Sequence, residues 1–181
     1  MLTALFIGLG SIGTRHLNNL AALCAQRELD LRADALRSDI SRPLRPGAAE
    51  RLTAQFTSLS DPAALPRYDL AFITNPTSLH AEALALVRGR AGALFIEKPI
   101  FSAEQTGLDL AALLDPGGKA YVAAPMRWCG VMLAVKAALR TLRPYCARVL
   151  CSSYLPDWRP GVDYRTVYSA PKALGGGVTI D

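Results

Sequence analysis

The chain has 181 residues, and 51% of them are hydrophobic, which excludes a disordered chain and allows one domain plus part of another. Its net charge of +5 would suit nucleic acid or an acidic membrane, but the arginines form no basic run, so we expect neither partner. No stretch reaches the roughly 18 apolar residues of a membrane span, and no basic signal-peptide start is present, which predicts a cytoplasmic protein. The four cysteines lack CxxC spacing and nearby histidines, which favours reduced thiols and no metal site.

The first predicted element is an apolar strand, 4–7, that ends in a glycine-rich turn. Glycines recur at Gly8, Gly10 and Gly13, and an amphipathic helical pattern follows. Between a strand and a helix, this spacing gives a tight turn, a close approach of a diphosphate to the backbone, and close helix–strand packing. The free N–H groups and the positive dipole end of the helix would face the anion. The sequence therefore predicts a diphosphate cradle that includes Ser11 and Ile12.

The second predicted strand, 31–37, ends where such folds contact the adenosine ribose of a dinucleotide. An acidic residue at this position would bind the ribose 2′-hydroxyl, whereas an arginine and a serine can hold a 2′-phosphate. Arg37 and Ser38 come first here, ahead of Asp39, and Arg42 is near. The pattern therefore favours NADP over NAD. For Arg42 alone, a solvated loop arginine is an equal alternative.

The remaining predicted elements alternate between strands and helices up to residue 124. In chain order they are a loop at 41–47, a strand at 56–58, a brief helix opened by Asp61, a strand at 69–74, a helix through Val87, a strand at 93–96, a helix at 103–114 and a strand at 120–123. This alternation predicts an α/β fold with a doubly wound parallel sheet, the Rossmann type. We assign 1–124 to this dinucleotide-binding domain.

The pattern changes after residue 124. A helix is predicted over 131–142 and a strand over 148–154, and a polar loop with prolines and aromatic residues follows. We assign 125–181 to the incomplete start of a second α+β domain, the substrate domain.

Three polar motifs follow predicted strands, where open α/β sheets bind their ligands. This ordered set of motifs resembles the Gfo/Idh/MocA family of sugar and polyol oxidoreductases. The matching motifs are Gly8-x-Gly10-x-x-Gly13 with Arg15-His16, then Thr74-Asn75-Pro76 with His80, then Glu97-Lys98-Pro99, then Met126-Arg127-Trp128, and finally Gly175-Gly176-Gly177 with Asp181. The resemblance implies an NAD(P)-dependent enzyme that transfers hydride to or from a sugar or polyol, and it also allows a homo-oligomer.

The resemblance also implies roles for individual residues. Lys98 would be the catalytic lysine, in contact with both substrate and cofactor, and Asp181 a second catalytic residue. The cofactor pocket would be lined by Thr74, Asn75, Pro76, His80 and Glu97, with Pro99 in the cis form. Arg127 and Trp128 would contact the substrate, although packing between domains is an alternative for both. His80 is equally compatible with helix packing, and His16 is interpreted as a structural anchor of the glycine turn.

The sequence departs from the family pattern at Asp181. The matching segment of the family continues to a nearby histidine, the usual proton-transfer partner, but no histidine follows His80 here. We therefore expect a truncated member with impaired turnover. The alternative is a non-catalytic dinucleotide-binding module or truncated remnant. A methyltransferase-like fold is the third interpretation, and it leaves Glu97-Lys98-Pro99 unexplained.

Overall fold

A computed structural model of the chain describes residues 1–57, 65–150, 152, 154–158, 160–167 and 170–171. The strands are β1 Leu2–Ile7, β2 Leu31–Leu36, β3 Ala54–Phe56, β4 Tyr68–Ile73, β5 Ala91–Ile96 and β6 Lys119–Val122. The helices are α1 Ser11–Gln26, α2 His80–Val87, α3 Leu110–Leu113, α4 Gly130–Ala138 and α5 Leu155–Trp158. The brief helix expected at Asp61 lies outside the described residues.

The six strands form one parallel sheet in the order β3-β2-β1-β4-β5-β6. The strand order reverses between β1 and β4, and this switch point is where open sheets of this kind bind ligands. The register pairs Ile7 with Leu36 and Ile73, and Ile73 with Ile96. The carboxyl ends of the central strands are therefore level, so the residues after them lie along one edge. This is the predicted doubly wound Rossmann fold.

The sheet has a hydrophobic core on each face because successive side chains of a strand point to opposite sides. On one face, Leu17 and Cys24 of α1 pack over Ala4 and Ala33. On the other face, Leu84 of α2 is fully buried and belongs to the second core cluster. The two cores hold α1 and α2 against the sheet, and both helices begin at its carboxyl edge.

Four aromatic side chains lie side by side across β1, β4, β5 and β6. Phe6 pairs in register with Phe72, Phe72 with Phe95, and Phe95 with Tyr121. Successive ring centroids are 4.5, 5.2 and 5.3 Å apart, within the range in which aromatic pairs attract each other. This aromatic row lies one residue before the end of β1, β4, β5 and β6. It is therefore next to the residues that follow these strands at the carboxyl edge of the sheet.

The helix predicted over 103–114 is wrong for most of its length. Only α3, four residues long, is helical, and the chain before it forms turns. Gly107 has a φ of +86°, a left-handed conformation that interrupts a right-handed helix. The Asp109 carboxylate accepts the Ala111 N–H at 2.9 Å and caps the helix at this later point.

The strand predicted over 148–154 is also wrong for the described residues of that range. No strand follows β6 in the part of the chain that the structure describes, and Val149 and Leu150 are 88% and 87% exposed. A strand needs a neighbour for its backbone hydrogen bonds, which an alternating apolar pattern does not supply.

None of the helices in the described ranges is long and apolar enough to span a membrane.

Candidate functional site

The glycine turn between β1 and α1 touches the end of β4. Gly8 has a φ of +82°, and a Cβ atom there would lie 2.6 Å from the backbone N and Cα of Asn75. A side chain at this position would therefore meet both backbone strain and a collision with backbone atoms. The requirement for glycine at Gly8 thus comes from the close approach of the turn to the loop after β4.

Gly13 and Thr74 hold the first turn of α1 against the glycine turn. A Cβ atom at Gly13 would lie 2.6 Å from the Gly8 carbonyl oxygen and 2.8 Å from Thr74 Oγ1. The Thr74 hydroxyl donates to the Gly8 carbonyl at 2.5 Å, and the Ile7 carbonyl lies 3.1 Å from Thr74 Oγ1. Thr74 is buried, so this hydroxyl is a link between β4 and the turn.

Gly10 differs from the other two glycines because a Cβ atom there would meet nothing within 4 Å. It is the N-cap of α1, and among the described residues no side chain caps this helix end. The N–H groups of Ser11, Ile12 and Gly13 have no partner within the helix. Open space beside N–H groups that lack a partner within the helix, at its positive dipole end, fits the diphosphate of a dinucleotide.

The end of β2 is held together by hydrogen bonds within the protein. Arg37 is 9% exposed, and its Nη1 and Nη2 donate to Gln55 Oε1 and to the Arg42 carbonyl, both at 2.7 Å. Hydrogen bonds from the Ser41 hydroxyl and N–H, with a contribution from Arg42, hold the pKa of the Asp39 carboxyl below its usual value. Arg42 itself keeps 79% of its side chain exposed, next to this loop.

The loop after β5 is tied to α1 through Glu97. Its Oε1 lies 2.6 Å from Nε2 of His16, and its Oε2 accepts the Lys98 N–H at 3.2 Å. The Lys98–Pro99 peptide bond is cis, as the family resemblance implies. The Glu97 carboxylate therefore contacts both the backbone of Lys98 and helix α1.

His80 joins the two loops that follow β4 and β5. It is 1% exposed, with Nε2 3.0 Å from the Asn75 carbonyl and Nδ1 3.1 Å from the Ile100 carbonyl. Burial lowers the pKa of His80, and the facing carbonyls offset part of that effect. Both ring nitrogens lie at hydrogen-bond distance from backbone carbonyls, so the contacts that the structure shows for His80 are within the protein. Cofactor contact by His80 stays a prediction.

Arg127 and Trp128 lie just after β6, the next strand along the same edge. They belong to a short 3₁₀ turn, Pro125–Trp128, and Trp128 Nε1 donates to the Tyr121 hydroxyl at 2.7 Å. Trp128 is 69% exposed. Asp181, the second predicted catalytic residue, lies outside the described residues, so its role stays a prediction.

Residues 2–124 match the family model of the oxidoreductases with an NAD-binding Rossmann fold, Gfo/Idh/MocA. The chain belongs to this family. Membership confirms the predicted fold and the predicted family, and it removes the methyltransferase interpretation. The match ends at residue 124, and the division of the chain into two domains stays a prediction. No curated protein matches the chain significantly.

Solved structures share the fold of this Gfo/Idh/MocA chain. The WlbA dehydrogenase from Chromobacterium violaceum, in complex with NADH and UDP-GlcNAcA, is 23% identical, with a TM-score of 0.61 over 77% of this chain and 39% of that one. Myo-inositol 2-dehydrogenase from Lactobacillus plantarum is 23% identical, with a TM-score of 0.60 over 77% and 41%. Levoglucosan dehydrogenase, in complex with NADH and levoglucosan, is 20% identical, with a TM-score of 0.57 over 77% and 39%. The chain spans about two fifths of the length of these proteins.

The contact that sequence reasoning missed in this Gfo/Idh/MocA chain is the one between His16 and Glu97. The sequence pointed to both residues but gave His16 the role of anchoring the glycine turn. Its ring lies edge-on to Phe95, with the centroids 4.8 Å apart, and its Nε2 reaches Glu97 in the loop after β5. The available signal was the position of His16 in the second turn of α1, on the face of the helix that packs against the sheet.

Replacing Gly10 with valine should block dinucleotide binding without unfolding the chain. The new side chain would enter the open space beside the first turn of α1, where crowding costs about 1–3 kcal/mol, so NADH affinity should fall about 10- to 100-fold. NADH fluorescence titration measures the affinity and thermal unfolding checks the fold. Gly130→Val is the matched control, because a Cβ atom at Gly130 also meets nothing within 4 Å. Equal affinities in the two variants would contradict the cradle.

Proposed function

We propose that this chain binds NAD(P)(H) at the glycine turn and serves hydride transfer to or from a sugar or polyol carbon. The observation that carries the proposal is the meeting of three strand ends. The open space at Gly10, the Thr74 loop packed on the turn, and the Glu97-Lys98 loop all follow neighbouring strands at one edge of the sheet. Relatives of the same fold crystallised with NADH and levoglucosan or UDP-GlcNAcA support the sugar class.

The nicotinamide supplies the redox chemistry when it is bound, and the residues of the chain bind, orient and move protons. Lys98 follows β5 at the ligand edge, where its ammonium group would hold the substrate oxygen and exchange a proton with it. Asn75 and Pro76 would shape the pocket beside the glycine turn. Arg127 and Trp128, after the next strand, would contact the substrate.

We propose a preference for NADP(H) over NAD(H), determined by residues in the loop after β2. Two nitrogens of Arg37 already bind protein acceptors, so this arginine would brace the loop. The exposed guanidinium of Arg42 and the hydroxyl of Ser38 would then hold the 2′-phosphate. An ion pair at 3.3 Å between Arg42 and Asp39 orients the guanidinium toward the same loop.

Titration with NADPH and NADH tests the cofactor proposal. We expect both to bind, with NADPH at least about tenfold tighter, because one hydrogen bond to a charged group contributes a net of about 1.5–3 kcal/mol. Arg42→Ala should reduce the difference between the NADPH and NADH affinities, because it removes the guanidinium proposed to hold the 2′-phosphate. Arg88→Ala, an exposed arginine at the end of α2, is the matched control.

The outcomes of this titration separate two claims. If neither nucleotide binds, the dinucleotide site itself is refuted. If NADH binds as tightly as NADPH, only the preference for the 2′-phosphate is refuted, and the assignment of the glycine turn stands.

A further inference from the structure

We propose that His16 is a positioning residue that shapes the nicotinamide half of the cofactor site through Glu97. This inference rests on the proposed dinucleotide function. It gives a histidine of the diphosphate-binding helix a role at the opposite half of the ligand.

The geometry of the pair is that of a fixed link. His16 and Glu97 are 81 residues apart in the chain, yet Nε2 and Oε1 are 2.6 Å apart, and the two side chains are only 16% and 13% exposed. A carboxylate only accepts, so the histidine nitrogen is the donor. The other carboxylate oxygen accepts the Lys98 N–H at 3.2 Å. A continuous chain of hydrogen bonds thus runs from α1 to the backbone of Lys98.

The aromatic row holds the imidazole in place. The His16 ring meets Phe95 edge-on, with centroids 4.8 Å apart, and lies 6.1 Å from Phe72. Those two rings are themselves neighbours across β4 and β5. Packing on both rings limits the rotamers open to His16, so its nitrogen stays aimed at Glu97.

The topology assigns the pair to the nicotinamide side. A fold of this type is built from two mononucleotide-binding halves, and the dinucleotide lies across the switch point between them. The end of β2 belongs to the adenosine half, whereas Glu97 follows β5, in the other half beyond β4. His16 therefore ties the helix that receives the diphosphate to the half that receives the nicotinamide riboside.

Two ligands distinguish this role from a general structural one. NADH spans both halves, whereas ADP shares the adenosine and both phosphates but lacks the nicotinamide riboside. His16→Phe keeps a ring on the aromatic row and removes the donor nitrogen. We expect it to weaken NADH binding about tenfold and to leave ADP binding nearly unchanged, as measured by isothermal titration calorimetry.

Two further variants complete the experiment. His16→Gln retains a donor and should recover most of the NADH affinity. Glu97→Gln keeps the shape but leaves one acceptor oxygen for two donors, His16 Nε2 and the Lys98 N–H, so it should reproduce the selective loss. It also carries the test if His16→Phe fails to fold.

Three results would count against the proposals, in different ways. A similar loss of NADH and ADP in His16→Phe and Glu97→Gln would mean that the pair is structural, which overturns the inference. Unchanged NADH affinity in both variants would overturn it as well. A wild-type chain that binds neither NADH nor ADP would instead refute the proposed function.

Discussion

Replacing Lys98 with alanine should slow the oxidation of the sugar or polyol about 10²- to 10⁴-fold, the usual loss when a positioned proton-transfer group is removed. The affinity for the dinucleotide should stay nearly unchanged, because the glycine turn and the Thr74 link do not involve the lysine side chain. The measurement pairs reduction of NAD(P)⁺ across a panel of sugars and polyols with NADH titration.

Lys119 provides the matched control for this experiment. It is an exposed lysine that begins β6, so it lies at the amino edge of the sheet, away from the candidate site. Lys119→Ala should change neither turnover nor binding. If Lys98→Ala loses turnover and affinity to the same extent, the lysine has a structural role. If the wild-type chain binds dinucleotide but oxidises no sugar or polyol, the non-catalytic module is the better description.

The centre of the sheet was predictable because β1, β4 and β5 are short, largely apolar runs in the interior of the sheet. The run predicted at 69–74 is β4, Tyr68–Ile73, and the run predicted at 93–96 lies within β5, Ala91–Ile96. The helix predicted over 103–114 was one of the two wrong predictions. The pattern over 103–114 contained Gly107 and the cap Asp109, and these local signals decided the outcome.

The glycine turn was predictable because some of its requirements lie within the turn itself. The positive φ at Gly8 and the 2.6 Å between a Cβ atom at Gly13 and the Gly8 carbonyl oxygen are such requirements, whereas the contacts of the turn with Asn75 and Thr74 depend on the fold. The contacts of long polar side chains are not local. Arg37 can reach a ligand phosphate or a protein acceptor with the same stem, and only the fold shows that Gln55 lies at 2.7 Å.

The His16–Glu97 contact shows the same limit at the centre of the site. It needs the register of β4 and β5, which sets the end of β5 beside α1. Sequence reasoning placed both residues in functional motifs but could not join them, because the motifs are 81 residues apart. The structure therefore changes a set of separate strand-end motifs into one connected edge.

Phe72→Ala should strongly destabilise the fold, because Phe72 lies between two other rings of the aromatic row. The side chain is 7% exposed and stacks on Phe6 with the rings 9° from parallel. Phe95 covers it on the other side, at 5.2 Å. Removing a buried phenylalanine costs about 3–5 kcal/mol of the free energy of unfolding, which urea denaturation can measure.

Phe101→Ala is the matched control, since Phe101 is only partly buried at the margin of the other core and should cost less. Because Phe72 and Phe95 together support the His16 ring, Phe72→Ala should also weaken NADH more than ADP at temperatures where the variant is folded. If both variants lose the same free energy of unfolding, the aromatic row contributes no more to stability than the margin of the other core, and the prediction is wrong. Unchanged NADH affinity in a folded Phe72→Ala variant would show that the row does not support the His16–Glu97 link.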